Sequence, residues 1–478
     1  MGSVELAMPH AVCVPFPAQG HVIPMMQLAK LLHSRGFYIT FVNTEFNHRR
    51  LVQSKGADRI EGLPYFQFET VADGLPPSDK NATQDPPALC NAILNNMLEP
   101  FKELISSLNS SPCSPPVTCI VADGVMSFGI KAAEELGIPE VQLWTASACG
   151  FLGYLSFGEL ENRGIVPFKE GLISDENLDQ RVDWIPSMPD IRLKDLPSFL
   201  RTTDPEDFMF HYLKTEVRNC LKAPRILINT FDDLEHKALE ELKKQHPCIY
   251  QIGPLLQLVD RYVLDTDLKS LNSSLWKADA TCLDWLSTKE PQSVVYVNYG
   301  SVTTMSHKQL LEFAWGLASS EHSFLWVVRP DVLGGESVVL PKEFFEEVKD
   351  RGLVVSWCGQ EQVLSHSSVG TFLTHCGWNS MLESITAGVP LICCPNYAEQ
   401  HTNSRYACTD WGIGLELGCD ADRGEIKAVI KEMMEEEKGN ELRENAKKLK
   451  RKAEATIEVG GSSYNDFLKF ISEGVIHP

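Results

Sequence analysis

Short apolar segments alternate with helical patterns over the first 150 residues of the chain, and this alternation limits its possible folds more than any other feature. Residues 11–14 and 38–42 are such segments, and residues 22–34 form the helical pattern between them. Continuous apolar strands are typical of parallel sheets that are covered by helices on both faces. The same alternation starts again at Ser293 and continues to Met434. We therefore predict an α/β protein with two doubly wound domains.

A polar, turn-rich segment separates the two alternating blocks. Residues 253–280 contain many charged and turn-forming side chains and show no sustained period of apolar residues. Such a composition favours a linker between domains. We therefore predict an N-terminal domain at 1–252, a linker at 253–280 and a C-terminal domain at 281–455. This division suits a length of 478 residues at about 150 residues per domain.

Charge and cysteine usage exclude several classes of function. The chain has 43 basic and 64 acidic residues, so its net charge of −21 disfavours nucleic acid as a partner. No apolar run reaches the roughly 18 residues that a membrane span requires. The 14 cysteines are scattered and lack zinc-ligand spacing, which favours reduced thiols. We expect a cytoplasmic protein with no membrane span and no nucleic-acid partner.

A histidine and an aspartate follow two of the predicted strands in the first block. His21 lies just after the first strand, and Asp123 ends the strand at 118–122. Ligands of open parallel sheets bind at the carboxyl ends of the strands, so both side chains are candidates for one site. An imidazole that a carboxylate orients can act as the general base for an alcohol. The alternative is a partly exposed histidine and an aspartate that caps the next helix.

The second block contains a candidate anion site. Residues 369–374 have a strand pattern that runs into His375 and Gly377, and a helical pattern then continues to Gly388. A helix N-terminus has unpaired amides, and a glycine lets the backbone approach a ligand closely. Together with the neighbouring histidine, these features suit a diphosphate.

Side chains near this anion site could bind the rest of a nucleotide sugar. Glu383 could accept two ribose hydroxyls, although its spacing from Ser380 also fits a helix capping box. Trp357 follows another predicted strand and could stack on a base or pack in the core. Glu399 and Gln400 lie where sugar hydroxyls could be bound, or they begin a helix.

Two other patterns point to chemistry that we do not expect. Asp-x-Asp triplets at 265–267 and 420–422 are similar to the metal clamp of some sugar transferases, but one lies in the linker and the other in a loop. We interpret both as solvated acidic turns and predict no metal. Gly412 and Gly414 are followed by Gly418, one residue too late for a dinucleotide fingerprint. A dehydrogenase is therefore disfavoured.

Residues 357–400, WCGQEQVLSHSSVGTFLTHCGWNSMLESITAGVPLICCPNYAEQ, resemble the signature box of plant family 1 UDP-glycosyltransferases. The resemblance extends over nearly the whole chain and includes FPAQGH, VADGVMSF, LWTASA and VVYVNYGS. It implies a GT-B fold, in which two facing Rossmann-like domains hold the active site in the cleft between them. The second domain would bind the UDP-sugar and the first the acceptor. A final helix near 464–475, within residues 456–478, would return to the N-terminal domain.

The resemblance also implies roles for individual residues. His21 would deprotonate the acceptor hydroxyl and Asp123 would steady it. Trp357 would stack on uracil and the backbone of Cys358 would contact its edge. Glu383 would hold the ribose hydroxyls with help from Gln360. The other implied donor contacts are His375, Asn379, Ser380 and Ser301 for the diphosphate, Trp378, Glu399, Gln400 and Thr145 for the sugar, and Gly20, Gly377 and Tyr397 elsewhere in the donor site.

The implied reaction is a single displacement that inverts the α-linked sugar of UDP-glucose to a β-glucoside. UDP-glucose is a co-substrate, and no other cofactor is expected. Residues 21–51 and 183–203 look like the clade that glucosylates iridoids, diterpenoid alcohols and cyanohydrins. We expect a small hydroxyl acceptor, such as the iridoid aglycone 7-deoxyloganetin, with another terpenoid, phenolic or cyanohydrin as the alternative. A non-catalytic UDP-sugar-binding protein is the other alternative, and we expect a monomer.

The acceptor site and two departures from the family pattern remain open. Apolar side chains of the first domain could line the acceptor site, or each could belong to the core; they are Phe16, Met126, Phe128 and Phe151. Gly359 stands where the family usually has proline, which could loosen the loop beneath the base. Glu399 stands where aspartate is frequent, which adds a methylene near the sugar.

Overall fold

A computed structural model describes residues 8–55, 63–76, 84–171, 173–271, 274–333 and 340–474 of the chain. The chain divides into two compact units. The first unit comprises Met1–Pro167, Thr202–Trp276 and Thr456–Pro478, and the second comprises Phe168–Arg201 and Lys277–Ala455. Among the described residues, no helix is both long enough and apolar enough to cross a membrane.

The first unit contains a seven-stranded parallel sheet within its described residues. Its strands are β1 (His10–Val14), β2 (Tyr38–Thr44), β3 (Phe66–Val71), β4 (Cys119–Asp123), β5 (Glu140–Trp144), β8 (Ile226–Ile228) and β9 (Ile249–Gln251). Their order is β3-β2-β1-β4-β5-β8-β9, so the chain leaves β1 in one direction and returns on its other side at β4. That reversal is the switch point at which doubly wound sheets bind ligands.

Helices cover this sheet. They are α1 (Gln19–Ser34), α2 (Glu45–Lys55), α3 (Pro86–Asn96), α4 (Leu98–Ser110), α5 (Phe128–Leu136), α6 (Ala148–Leu155), α7 (Phe157–Asn162), α9 (Phe208–Cys220), α10 (Asp232–Gln245), α11 (Leu255–Tyr262), α12 (Thr266–Ser270) and α21 (Ser462–Gly474). Every residue of β1, β4 and β5 is buried, as the continuous apolar runs predict for strands covered on both faces. The short strands β3, β8 and β9 were not predicted.

The second unit contains a six-stranded parallel sheet within its described residues. Its strands are β10 (Val294–Asn298), β11 (Ser323–Val327), β12 (Gly352–Val355), β13 (Val369–Thr374), β14 (Leu391–Cys393) and β15 (Gly414–Glu416). Their order, β12-β11-β10-β13-β14-β15, is that of a Rossmann sheet with its switch point between β10 and β13. The prediction of an α/β protein with two doubly wound sheets is confirmed.

Eight α-helices, a ninth that ends at the boundary with the first unit, and a small antiparallel pair of strands complete the described part of the second unit. The helices are α8 (Asp175–Leu178), α13 (Thr281–Leu286), α14 (His307–Ser320), α15 (Lys342–Val348), α16 (Gln360–Leu364), α17 (Trp378–Ala387), α18 (Gln400–Cys408) and α19 (Arg423–Glu435). The strand pair is β6 (Arg181–Val182) with β7 (Ile191–Arg192). Helix α20 (Glu437–Thr456) ends at the boundary with the first unit.

The boundaries of the units differ from the predicted domains in two places. Most of the predicted linker, up to Trp276, belongs to the first unit, because Leu255 and Leu258 of α11 are fully buried in its core. Residues 168–201 belong to the second unit although they lie within the predicted N-terminal domain. The hydroxyl of Thr402 donates to the carbonyl of Asp195 at 2.7 Å, which fixes this segment on α18.

The C-terminal segment packs on the first unit. Phe467 and Phe470 of α21 are buried in the same core as the β-strands of that unit. The hydroxyl of Tyr262 in α11 also donates to the carbonyl of Ile457 at 2.8 Å. The end of the predicted final helix, at Val475, lies outside the described residues.

Candidate active site

The switch point of the first unit brings together the two side chains that were predicted as a base and its partner. His21 lies in α1, which follows β1, and Asp123 is the last residue of the neighbouring strand β4. Nδ1 of His21 is 2.8 Å from Oδ2 of Asp123. The carboxylate is buried, whereas the imidazole is 29% exposed. The pair therefore combines a buried carboxylate with an imidazole ring that solvent can reach.

The alternative role of Asp123 as a helix cap does not match the geometry. Helix α5 has Ser127 as its N-cap residue, four residues beyond Asp123. Asp123 instead accepts a hydrogen bond from the amide of Val125 through Oδ1 at 3.2 Å. One carboxylate oxygen thus fixes the turn after β4 while the other contacts His21.

Thr145 also reaches the imidazole. It follows β5, the strand next to β4, and its Oγ1 is 2.8 Å from Nδ1 of His21. The resemblance assigned Thr145 to the sugar and gave no indication of this contact. A structure was needed to find it, because the sequence separation between the two residues is 124 positions.

The predicted acceptor residues are all buried. The ring of Phe16 lies 5.0 Å from that of His21, so this residue is next to the candidate base. Phe151 is fully buried and stacks on Trp144 at 4.1 Å, and Phe128 packs edge-on against Phe101. Met126 is also buried. Of the four, Phe16 has the contact that an acceptor-lining residue would need, and the others contribute to the core of the first unit.

In the second unit, β13 leads into the predicted diphosphate loop. Cys376 has a φ of 63°, a left-handed conformation that is uncommon outside glycine. Gly377 is the N-cap residue of α17, and no side chain caps its amides. A side chain at Gly377 or at Gly300, which follows β10, would collide with the imidazole of His375. Glycine is therefore required on both sides of this histidine.

His375 has a strongly lowered pKa of about 4. Desolvation is the main cause, because burial disfavours the charged imidazolium. The positive charge of Arg329 lowers the pKa further, and a hydrogen bond with the backbone of Asn298 opposes the shift. His375 is thus neutral near pH 7 and can donate a hydrogen bond without carrying a charge.

A hydrogen-bond network surrounds the predicted ribose site. The side-chain nitrogen of Gln360 donates to Oγ of Ser380 at 2.8 Å and to Oε2 of Glu383 at 2.7 Å. Its carbonyl oxygen accepts from Nδ2 of Asn298 at 2.8 Å and from the hydroxyl of Tyr296 at 3.1 Å. These bonds hold Gln360 and Glu383 in fixed relative positions.

The capping-box alternative for Glu383 is wrong. Helix α17 begins at Trp378 with Gly377 as its N-cap residue, so Ser380 lies inside the helix. Glu383 is instead a desolvated carboxyl group whose pKa is raised to about 7. The bond from Gln360 lowers the pKa and the charge of Glu361 raises it, but desolvation dominates. A carboxyl group held in this way is suited to hydrogen bonding with hydroxyls.

Trp357 and Cys358 lie after β12, at the entrance to α16. Trp357 is partly exposed, so its indole is not sealed in the core, and its carbonyl accepts from the amide of Asp279 at 2.9 Å. Sγ of Cys358 lies 3.3 Å from the hydroxyl of Tyr296. Cys358 therefore lies at the edge of the Gln360 network, and Trp357 directly precedes it in the chain.

The predicted sugar contacts of the second unit lie around the start of α18 and at the start of α17. Oε1 of Gln400 accepts from the amides of Asn396 and Tyr397 at 3.0 and 3.1 Å, so its NH₂ group is the part that could reach a sugar. Glu399 is the N-cap residue of α18 and is partly exposed. The indole of Trp378 is buried and packs on Trp411 at 6.1 Å.

Of the other predicted donor residues, Ser301, Asn379 and Tyr397 are partly exposed, and Gly20 is exposed.

Comparisons with known proteins decide the family. The family model described as "UDP-glucoronosyl and UDP-glucosyl transferase" matches residues 279–451, and that described as "Glycosyltransferase, N-terminal domain" matches residues 10–154. Linamarin synthase 1 of Manihot esculenta is 54% identical over 100% of this chain and 99% of its own length. The chain belongs to the UDP-glycosyltransferase family.

Other similar proteins support this membership. The 7-deoxyloganetin glucosyltransferase of Gardenia jasminoides is 54% identical over 98% of this chain and 99% of its own. The crystal structure of Os79 from O. sativa in complex with UDP is 27% identical, covers 97% of this chain and 99% of its own, and superposes with a TM-score of 0.80. The predicted GT-B fold class of this glycosyltransferase is confirmed.

The departure at Gly359 leaves a φ angle at this position that proline could also adopt. Gly359 is the N-cap residue of α16 and has a φ of −76°, which lies within the range of proline. The glycosyltransferase therefore keeps the backbone path that proline would impose, without the rigidity of its ring.

Arg329 is a buried residue of this glycosyltransferase that was not predicted from the sequence. Its guanidinium group is buried and donates to the carbonyls of Gly300 and Thr303 and to the carboxylate of Asp331. These bonds fix the loop that carries Ser301, one of the predicted diphosphate contacts. The available signal was a lone arginine directly after the apolar run of β11, where a charge needs a buried partner.

Both Asp-x-Asp triplets have structural roles. Asp265 caps α12 by accepting from the amides of Asp267 and Leu268. Asp422 caps α19 and forms a capping box with Glu425. Over the part of the chain that is described, no three histidine, cysteine or acidic side chains come together as a metal site.

Proposed function

We propose that this glycosyltransferase is a UDP-glucose-dependent, inverting O-glucosyltransferase that forms β-glucosides of small plant alcohols. The observation that carries the proposal is the 2.8 Å contact between Nδ1 of His21 and Oδ2 of Asp123 at a sheet switch point. A buried carboxylate beside a more exposed imidazole is the arrangement that general-base catalysis needs.

The proton transfer follows from this geometry. Asp123 accepts the Nδ1–H hydrogen bond, so the base function falls to Nε2. Nε2 takes the proton of the acceptor hydroxyl while the hydroxyl oxygen forms a bond to the anomeric carbon. The bond from that carbon to the diphosphate oxygen breaks, and UDP leaves with its electron pair. Attack from the face opposite to UDP converts an α-linked donor to a β-glucoside.

In this proposal, residues of the second unit would bind the donor. Trp357 would stack on the uracil, Glu383 and Gln360 would hold the ribose, and His375 with the amides of α17 would receive the diphosphate. A neutral His375 suits this role because it can donate a hydrogen bond to the developing charge on UDP. Gln400 and Glu399 would contact the sugar, which we propose to be glucose.

We infer that the acceptor is a small hydroxyl compound, with an iridoid aglycone such as 7-deoxyloganetin as the first candidate. Support comes from a relative at 54% identity with that name. A second relative at 54% identity bears a different name, linamarin synthase 1, so identity alone does not select one acceptor. Other terpenoid, phenolic and cyanohydrin alcohols are therefore included in the test.

The remaining expectations belong to the same proposal. The enzyme would need no metal, and the capping roles of Asp265 and Asp422 in the two Asp-x-Asp triplets support this expectation. We also propose that it is a cytoplasmic monomer. Chelator treatment, fluorescent tagging in plant cells and light scattering test these three points separately.

The experiment uses purified protein with UDP-glucose and a panel of alcohols. Release of UDP and an acceptor heavier by one hexose unit would support the function, and NMR coupling at the anomeric carbon would report the β-linkage. Competing UDP-sugars in the same mixture would measure the preference for glucose. Tight UDP binding with no transfer to any alcohol would instead favour a non-catalytic UDP-sugar-binding protein.

A further inference from the structure

Two oxygen atoms face the same nitrogen of His21. Oδ2 of Asp123 and Oγ1 of Thr145 each lie 2.8 Å from Nδ1. Asp123 ends β4, which pairs with β1, the strand that leads into α1, and Thr145 follows β5 on the other side of β4. Both are at least nine-tenths buried, so little water is available to replace either contact.

The two oxygens share one hydrogen, which Nδ1 of His21 carries. A neutral imidazole carries one hydrogen on one of its two nitrogens, and an ionised carboxylate can only accept. The contact with Asp123 therefore requires the hydrogen on Nδ1. The Thr145 hydroxyl is then a second acceptor for the same hydrogen, and two acceptors on different strands restrict rotation of the ring more than one does.

The position of Thr145 is fixed by its neighbours. The indole nitrogen of Trp144 donates to the carbonyl of Ser147 at 3.1 Å, and its ring stacks on Phe151. Ser147 in turn caps α6 by accepting from the amide of Gly150 at 2.9 Å. The turn after β5 is thus held on both sides, which makes Thr145 a rigid contact for the imidazole.

We propose that Thr145 is a positioning residue for His21: its hydroxyl shares the Nδ1 hydrogen with Asp123 and holds the ring in the orientation and tautomer that a base requires. This inference rests on the proposed function and adds to it, because the family resemblance implied only a sugar contact for Thr145. When Nε2 takes the acceptor proton, the ring becomes an imidazolium and its Nδ1–H becomes a stronger donor. Thr145 then stabilises the charged ring.

The test is the Thr145→Val variant, which removes the hydroxyl at nearly constant volume. We expect kcat to fall about tenfold, since one hydrogen bond to a charged group is lost. The acidic limb of the rate profile should move to lower pH, because the imidazolium loses an acceptor. Thr145→Ser keeps the hydroxyl and should recover most of the rate and the original limb.

A double-mutant cycle measures whether Thr145 acts through the ring. Thr145→Val and Asp123→Asn should together cost less than the product of their separate effects, because both act on one hydrogen. In a His21→Ala background, Thr145→Val should have no further effect on the residual rate. The proposal would be overturned in favour of a sugar contact alone by three results together. Thr145→Val would raise the KM for UDP-glucose, leave the acidic limb of the rate profile unmoved, and have the same effect in the His21→Ala background.

A readout without transfer keeps this inference separate from the proposed function. Diethylpyrocarbonate modifies unprotonated imidazoles, and mass spectrometry of the peptide that contains His21 gives its modification rate at each pH. The midpoint of the curve of modification rate against pH should lie at lower pH in Thr145→Val than in the wild type or Thr145→Ser. Identical midpoints in all three would overturn the positioning role. If the wild type transfers no sugar but the midpoint shifts, the proposed function fails and the positioning role stands.

Discussion

His21 and His375 lie on opposite sides of the switch points of their sheets, after β1 in the first unit and after β13 in the second, and their surroundings give them opposite chemistry. Each follows a strand at the switch point of its sheet. His21 faces a carboxylate and a hydroxyl, both 2.8 Å from Nδ1, which suits a ring that gains and loses a proton. His375 is desolvated and lies near Arg329, so its pKa of about 4 keeps it neutral. A position directly after a strand thus indicates that a histidine belongs to the site. The groups around the imidazole then determine the chemistry of the ring.

The largest expected effect comes from the first of these histidines. His21→Ala should lower kcat for transfer by about 10²–10⁴-fold, because a general base contributes that much, while UDP affinity stays unchanged. Steady-state kinetics and UDP titration measure the two quantities. His236→Ala is the matched control, since His236 also contacts an aspartate, Asp232 at 3.0 Å, but on an exposed helix surface. Full activity of His21→Ala would show that His21 is not the general base.

His375 should behave as a neutral donor. We expect His375→Ala to weaken UDP binding about 10–100-fold through loss of a hydrogen bond to a charged phosphate, and His375→Gln to recover most of it. Because His375 stays uncharged, the ratio of the UDP affinity of His375→Gln to that of the wild type should be constant between about pH 5.5 and 8. Calorimetric titration at several pH values gives this ratio. If the UDP affinity of the wild type rises relative to that of His375→Gln as the pH falls, then His375 takes up a proton.

Glu383 should make nucleoside binding depend on pH near neutrality. Its pKa of about 7 means that the carboxyl ionises as the pH rises through 7, and only the ionised form accepts strongly from both ribose hydroxyls. Uridine affinity should therefore increase by about tenfold between pH 6 and pH 8. Uridine is the probe because it lacks titrating phosphates. Glu383→Gln should bind uridine with no change over the same range, and a flat wild-type curve would contradict the role.

Thermal unfolding of the free protein checks the same group without a ligand. Because burial raises the pKa of Glu383 above its value of 4.5 in the unfolded chain, the folded form keeps a proton that the unfolded form releases. Its contribution to stability therefore declines as the pH rises from 4.5 to about 7. Glu383→Gln should remove that part of the decline.

The smallest expected effect concerns the arginine that supports the donor loop. Arg329→Lys keeps the charge but cannot bond Gly300, Thr303 and Asp331 together, so the loop that carries Ser301 should lose its fixed position. UDP affinity should fall about three- to tenfold. Uridine affinity should stay unchanged, since uridine lacks the diphosphate. Equal losses for both ligands would show that the variant disturbs the whole unit.

Several features of the site were predictable from local pattern. The continuous apolar runs predicted β1, β4, β10 and β13, and the rule that ligands bind at strand ends then singled out His21, Asp123 and the loop after β13. The signature between residues 357 and 400 added the donor residues through resemblance. The capping-box alternative for Glu383 was wrong, because a spacing of three residues from Ser380 to Glu383 does not show where α17 begins.

Contacts between distant segments were not predictable. Residues 168–201 join the second unit through bonds such as Thr402 to Asp195, and neither partner has a distinctive local pattern. Arg329 reaches two loop carbonyls that lie 26 and 29 positions away in the chain. Such pairings depend on strand order, which local composition does not specify.

The amino-acid sequence by itself determined the two parallel sheets, the strand ends that carry polar side chains and the family of the chain. It could do so because the burial of strands on both faces requires continuous apolar runs that are visible in one dimension. Only the tertiary structure decided that Thr145 contacts His21, that Glu383 shares Gln360 with Ser380, and that His375 is neutral. Protonation and hydrogen bonding depend on the few ångströms around each group, and those neighbours come from strands far apart in the chain.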